Sequence, residues 1–169
     1  MFNIAADSEG VYLVAKDSDA DFTISKHWHD HSLKWSKSFS LGSVQPHSMS
    51  LSDDGKSLVM LGRKHSTGKS LVIWIDTLNG AANFKSVSTE ISLYDVVFAG
   101  DSLITCGSYN NEAFMMSLTK EMAVIKSLYY LTEFDMTLNV PYANLYEIRQ
   151  IIMFDDLFGL ALMAPSSIN

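Results

Sequence analysis

Apolar residues fall into short runs separated by polar loops, and the succession of run and loop repeats along the chain. Ser8-Glu9-Gly10 precedes Val11-Tyr12-Leu13-Val14-Ala15, and Asp53-Asp54-Gly55-Lys56-Ser57 precedes Leu58-Val59-Met60-Leu61. A third copy places Gly100-Asp101-Ser102 before Leu103-Ile104-Thr105-Cys106. Leu13, Leu58 and Leu103 are 45 residues apart each time. Short apolar runs bounded by Gly, Asp and Ser predict strands.

The second repeat shows the unit most fully. His47 to Leu51 reads as an inner strand, Ser52 to Gly55 as a turn, Leu58 to Leu61 as the next strand and Arg63 to Lys69 as a polar loop. Leu71-Val72-Ile73-Trp74-Ile75 is a third strand, Asp76 to Gly80 a tight turn, and Asn83 to Val87 an outer strand. Four antiparallel strands recurring at about 40 to 50 residues are the pattern of a propeller blade. Middle strands covered on both faces should be continuously apolar, as Leu71 to Ile75 is; outer strands should alternate. Leu33, Trp35 and Phe39 therefore fall on one face of the first outer strand, and a Lys-Ser pair marks each outer strand at Lys37-Ser38, Lys85-Ser86 and Lys126-Ser127.

The expected fold class is all-β: a partial β-propeller of four-stranded antiparallel blades, the last blade incomplete, forming a single domain over residues 1–169. Blades are expected at about 2–39, 47–88 and 93–131, with a half-blade at 146–163. A longer connection, 132–144 with Pro141, adds nine residues between Leu103 and Leu157, which are 54 apart. Residues 112–131 carry a competing helical pattern in Met115, Leu118, Met122, Ile125 and Tyr129; repeat register favours strands there. Closed propellers need about four to eight blades, so this reading expects either a fragment of a longer propeller or a partner protein or second copy that completes the ring. The run 157–164, with Leu157 and Leu160, would then be an apolar edge open to pairing.

The chain is 47% hydrophobic, enough for a sizeable core, and its 12 Lys+Arg against 19 Asp+Glu give a net charge of −7. That sign repels phosphate backbones and anionic lipid, so neither nucleic acid nor membrane is an expected partner. Cys106, the one cysteine, lies within an apolar run and cannot form an internal disulfide. Met1 to Asp7 has neither the basic nor the apolar segment of a secretory signal, and no apolar tract reaches the roughly 20 residues of a membrane helix. A soluble protein of the cytoplasm or another intracellular compartment is expected.

Asp53-Asp54-Gly55-Lys56-Ser57-Leu58 followed by Ile73-Trp74-Ile75-Asp76-Thr77-Leu78-Asn79-Gly80 resembles the cadence of WD-repeat and quinoprotein-like propellers. The register extends over most of the chain, but the full wording stands only in the second repeat, without the Gly-His and terminal Trp-Asp pairs of true WD repeats. The resemblance implies a rigid scaffold that binds other proteins.

Candidate chemistry is sparse. Gly62 to Ser70 looks like a phosphate-binding loop, but five residues separate its glycines where the motif has four, and a strand follows where the motif needs a helix. Asp17, Asp19 and Asp21 alternate like the start of a calcium loop, yet Phe22 and Trp28 stand where that loop needs Gly and Glu. His27, His29 and His31 would share one face of an extended segment and could make a zinc or copper set, unless the segment is a hairpin tip. No Gly-x-Ser-x-Gly elbow exists, and no cofactor is expected. The expected function is non-catalytic: an interaction or scaffold module within a larger assembly. Recognition would use the rim loops 17–21, 44–47, 63–69 and 109–112, with Arg63, Lys64 and His65 prominent, together with the open edges. Two alternatives stay open, a fragment of a propeller enzyme or metal-binding domain, and a self-assembling structural protein.

Overall fold

The computed structural model describes residues 3–17, 21–109, 112–119, 124–129, 147–154 and 157–163. All regular structure within them is β, and the chain divides into two compact units, Met1–Thr89 and Glu90–Asn169. No helix among the described residues is long and apolar enough to cross a membrane.

The first unit holds two four-stranded antiparallel sheets whose strands pair in chain order. One contains β1 (Asn3–Ala6), β2 (Gly10–Lys16), β3 (Phe22–Trp28) and β4 (Leu33–Phe39); the other contains β5 (Val44–Leu51), β6 (Ser57–Lys64), β7 (Ser70–Asp76) and β8 (Ala82–Ser86). The second unit holds β9 (Ile91–Ala99), β10 (Ser102–Tyr109), β11 (Glu112–Leu118) and β12 (Val124–Tyr129) in a third such sheet, and a two-stranded sheet of β13 (Glu147–Phe154) and β14 (Leu157–Met163). The helical alternative at 112–131 is not adopted, since β11 and β12 pair from Phe114↔Tyr129 to Leu118↔Val124. Each Lys-Ser pair lies on a fourth strand, with Lys37 opposite Ile24, Lys85 opposite Val72 and Lys126 opposite Ser117. The expected connection at 132–144, the turn at Asp155-Asp156 and the last residues, 164–169, lie outside the described residues.

Two departures from the expected pattern have local causes. The inner strand of the second blade begins at Val44 rather than His47, so Pro46 sits within a strand. Proline is tolerated there because β5 is an edge of its sheet and need not donate on its outer side. His47 is the extra residue of a bulge between Pro46↔Gly62 and Ser48↔Leu61. Tyr94 in β9 and Arg149 in β13 are extra residues of the same kind. In β4 the register passes from Lys26↔Trp35 to His27↔Leu33, leaving Lys34 unopposed. One inserted residue reverses the facing of everything beyond it. Trp35 and Phe39 therefore pack on the core as expected, whereas Leu33 turns to the other face and is 57% exposed.

The core of the first unit joins its two sheets. Tyr12, Val14, Phe22 and Ile24 meet Val44, Leu58, Met60, Leu71, Ile73 and Ile75. Strands β6 and β7 are buried on both faces through almost all their length, whereas β2 and β3 alternate. The first sheet is thus covered on the face that meets the second, and open on the other.

Candidate interaction surfaces

The β1–β2 and β3–β4 turns of the first sheet and the β5–β6 and β7–β8 turns of the second share one end of the first unit. A polar network holds them together. Asp7 accepts the backbone N–H groups of Glu9 and Gly10 on Oδ1, at 2.7 and 2.8 Å, and the Tyr12 hydroxyl on Oδ2, at 2.8 Å. Lys26 follows Phe22 and Ile24 at the period of two, so the strand aims its side chain inward. Only 2% of that side chain is exposed. Its ammonium lies 3.2 Å from Asp7 Oδ2 and 3.0 Å from Glu9 Oε2, and 4.9 Å from the centroid of the Tyr12 ring. Glu9 also takes Lys34, whose ammonium sits 4.1 Å from the centroid of the half-exposed Trp28 ring.

Burial acts to lower the Lys26 pKa and is outweighed by Tyr12, Glu9 and Asp7, so the group stays charged well above its ordinary range. It is a structural cation, not a base or nucleophile at neutral pH. On Asp7, burial acts upward, but Tyr12, the Glu9 and Gly10 N–H groups and Lys26 together hold the carboxyl below the usual range. Thr77 extends the network across the sheets, donating from Oγ1 to the Gly55 carbonyl at 2.6 Å and accepting the Trp35 indole N–H on its backbone carbonyl at 2.9 Å. The sequence held one sign of this network, a lysine in step with buried Phe22 and Ile24.

The opposite end carries Asp17 and Asp21, the connection 40–43 and the β6–β7 hairpin. Asp21 gathers that connection. Its Oδ2 accepts the Leu41 N–H at 2.6 Å and its Oδ1 the Ser43 N–H at 2.7 Å. Burial pushes the Asp21 carboxyl up, but the N–H groups of Leu41, Val44, Ser43 and Gly42 outweigh it and hold the group below its ordinary value. Gly42 and Ser43 both adopt left-handed φ, 83° and 66°, which turns successive N–H groups toward one anion. The loop expected at 44–47 is therefore the connection just before it, because Val44 already belongs to a strand.

Asp21→Ala is expected to cost about 2 kcal/mol, since these donors lose a charged acceptor. Urea unfolding of the variant checks it. Asp7 and Asp21 are both depressed in the folded state, so the stability they contribute is full above the unfolded-state pKa of 3.8 and is lost as pH falls through their folded values. The urea midpoint of the parent should therefore fall from pH 6 to pH 3, and that of Asp21→Ala should fall less.

The candidate metal ligands that are described each make contacts of their own. Asp17 accepts Thr23 Oγ1 at 2.6 Å and Ser38 Oγ at 3.2 Å, Asp21 is engaged as described, and Asp19 lies outside the described residues. His27 lies on β3, near Ser25 Oγ and the His31 carbonyl; His29 reaches the Ser8 carbonyl; His31 sits in the turn with φ of 69°. Strand β3 ends at Trp28, so the alternation that would have aligned the three imidazoles stops there. Among the described residues no three His, Cys, Asp or Glu side chains could hold one ion. Arg63 and Lys64 end β6 and His65 follows in the hairpin, with no helix after it. Leu157 and Leu160 lie on β14, opposite Phe154 and Ile151. Tyr109 and Glu112 face each other across the β10–β11 hairpin. Burial pushes the Cys106 thiol up to about 12, leaving it protonated and unreactive at neutral pH.

The open face of the first sheet is a further surface. Ile4, opposite Leu13, is 69% exposed, and Leu13 is 38% exposed. Its β1–β2 half carries Ile4, Val11, Leu13 and Ala15; its β3–β4 half carries Thr23, Ser25, His27, Ser36 and Ser38, with the exposed Leu33 opposite His27. Leu58, at Leu13's place in the next repeat, is buried against the first sheet.

No family model matches the sequence, and no curated protein matches it. Solved structures do. The chain is similar to the β-propeller domain of the Trilobed protease from Pyrococcus furiosus, with a TM-score of 0.52 and 13% identity, over 97% of this chain and 57% of that one. It thus spans little more than half the length of that chain. A protein of unknown function from Bacteroides caccae is similar at a TM-score of 0.43 and 8% identity, over 91% of this chain and 68% of that one. At such identity the first likeness is one of fold: all-β and propeller-like, with four-stranded antiparallel blades and a last blade of two strands among the described residues.

Proposed function

We propose that this chain is a non-catalytic interaction module of divergent, WD-like propeller type, whose partner is a further blade packed on the open face of the first sheet. The observation that supports it is the unequal fate of equivalent leucines. Leu58 is 0% exposed because the first sheet covers it, while Leu13, one repeat earlier, faces solvent beside Ile4. The apolar half of that face matches an aliphatic sheet surface like the one on its other side. Burying Ile4 and Leu13 there contributes on the order of 1 to 2 kcal/mol each.

Without that partner, the face meets its own copy. Light scattering of the purified chain is expected to give a mass above the 18.8 kDa monomer, and Ile4→Lys with Leu13→Lys should return it to the monomer with its circular dichroism unchanged. A strict monomer before substitution, or association that survives both lysines, overturns the reading.

A further inference from the structure

The β6–β7 hairpin concentrates positive charge in an otherwise acidic chain. Arg63 and His65 are exposed and Lys64 and Lys69 partly so. None of the four pairs with a carboxylate among the described residues. Of the acids described at this end, Asp21 accepts N–H groups of the backbone 41–43, and Asp17 accepts the Thr23 and Ser38 hydroxyls. At the other end of the same unit the turns carry Asp7, Glu9, Asp30, Asp53, Asp54 and Asp76. Three cations of the first unit, Arg63, Lys64 and Lys69, thus gather on one hairpin with no carboxylate paired to them among the described residues.

That hairpin is also pre-shaped. The Lys64 N–H donates to the Lys69 carbonyl and the Gly68 N–H to the Lys64 carbonyl, both at 2.8 Å, while Gly68 takes a φ of 67°. The His65 N–H donates to the Ser43 carbonyl at 2.9 Å, fastening the hairpin to the connection that Asp21 holds. Little backbone entropy remains to be lost on binding.

We propose that this hairpin docks an acidic segment of a partner protein, with Arg63, Lys64 and Lys69 meeting its carboxylates. An extended nucleic acid would meet the same cations but also the field of a chain with net charge −7, whereas a short acidic segment confines its charge to the hairpin. The inference rests on reading the chain as an interaction module, but uses a surface separate from the open face of the first sheet.

A fluorescent acidic probe, ten glutamates on a labelled peptide, tests it by anisotropy with the full chain. Saturable binding is expected at 50 mM salt, weakening at least tenfold by 300 mM. Charge reversal by Arg63→Glu, Lys64→Glu and Lys69→Glu should weaken it at least tenfold, with circular dichroism and melting unchanged. Lys64→Glu alone should weaken it by a smaller factor, and serves if the triple variant does not fold. Ile4→Lys with Leu13→Lys should bind the probe as the parent does, so failure of the blade-packing reading is seen separately. No binding at 50 mM salt, unaltered binding by folded charge-reversal variants, or tighter binding of a labelled ten-nucleotide single strand would overturn the proposal.

Discussion

Asp7→Ala is expected to destabilise the protein by about 3 kcal/mol or more, because it leaves a buried ammonium with one solvent-exposed carboxylate. Lys26 is 2% exposed, and of its two acidic partners Asp7 is 11% exposed and Glu9 57%. Water screens the Glu9 pair and competes for it, so the loss falls on Asp7. The same substitution removes the acceptor of two turn N–H groups and of the Tyr12 hydroxyl. Lys26→Met in the Asp7→Ala background should recover part of the loss, since an apolar chain of similar length needs no counter-charge. Urea unfolding followed by tryptophan fluorescence reads both, because Trp28, Trp35 and Trp74 lie in the first unit. If Asp7→Ala costs less than 1 kcal/mol, or Lys26→Met adds its full cost to it, the ammonium is not held as described.

Gly107→Ala should be comparably damaging for a different reason. A Cβ there would overlap the carbonyl oxygen of Ser92, a backbone atom of the paired strand β9. The bulge at Tyr94 brings the two backbones together, with Gly107 opposite Leu93 and Cys106 opposite Asp95. Backbone cannot rotate aside as a side chain can, so the sheet must shift, at about 3 kcal/mol. Gly62→Ala makes the comparison, since its Cβ would come 2.6 Å from Val44 Cγ1, and a side-chain methyl can move. Its cost should be nearer 1 kcal/mol. Far-ultraviolet circular dichroism in urea reads both. Equal costs at the two sites would show that the strand spacing relaxes freely at Gly107.

Much of the blade architecture was legible in the chain. The 45-residue recurrence and the turn residues before each apolar run located β2, β6 and β10, and the Lys-Ser pairs located β4, β8 and β12. The helical spacing within 112–131 competed with that register, and the structure follows the register: pairing with β10 on one side and β12 on the other satisfies the β11 backbone. The metal candidates were less legible, because alternation aligns His27, His29 and His31 only in an extended strand, and β3 stops at Trp28.

Local patterning alone determined strand positions, antiparallel blades and a lysine at an inward-facing place in β3, because side-chain alternation and turn chemistry act over a few residues. Tertiary structure decided the partners. Asp7 and Lys26 are 19 residues apart, Asp21 and Ser43 22, and Trp35 and Thr77 42, and no short-range pattern specifies such pairs. It also decided which faces are covered: Leu13 and Leu58 are the same residue at the same point of the repeat, and only the sheet packed over Leu58 distinguishes them. The bulge at Lys34 is of the same kind, since one extra residue in β4 sends Leu33 outward through its register with β3.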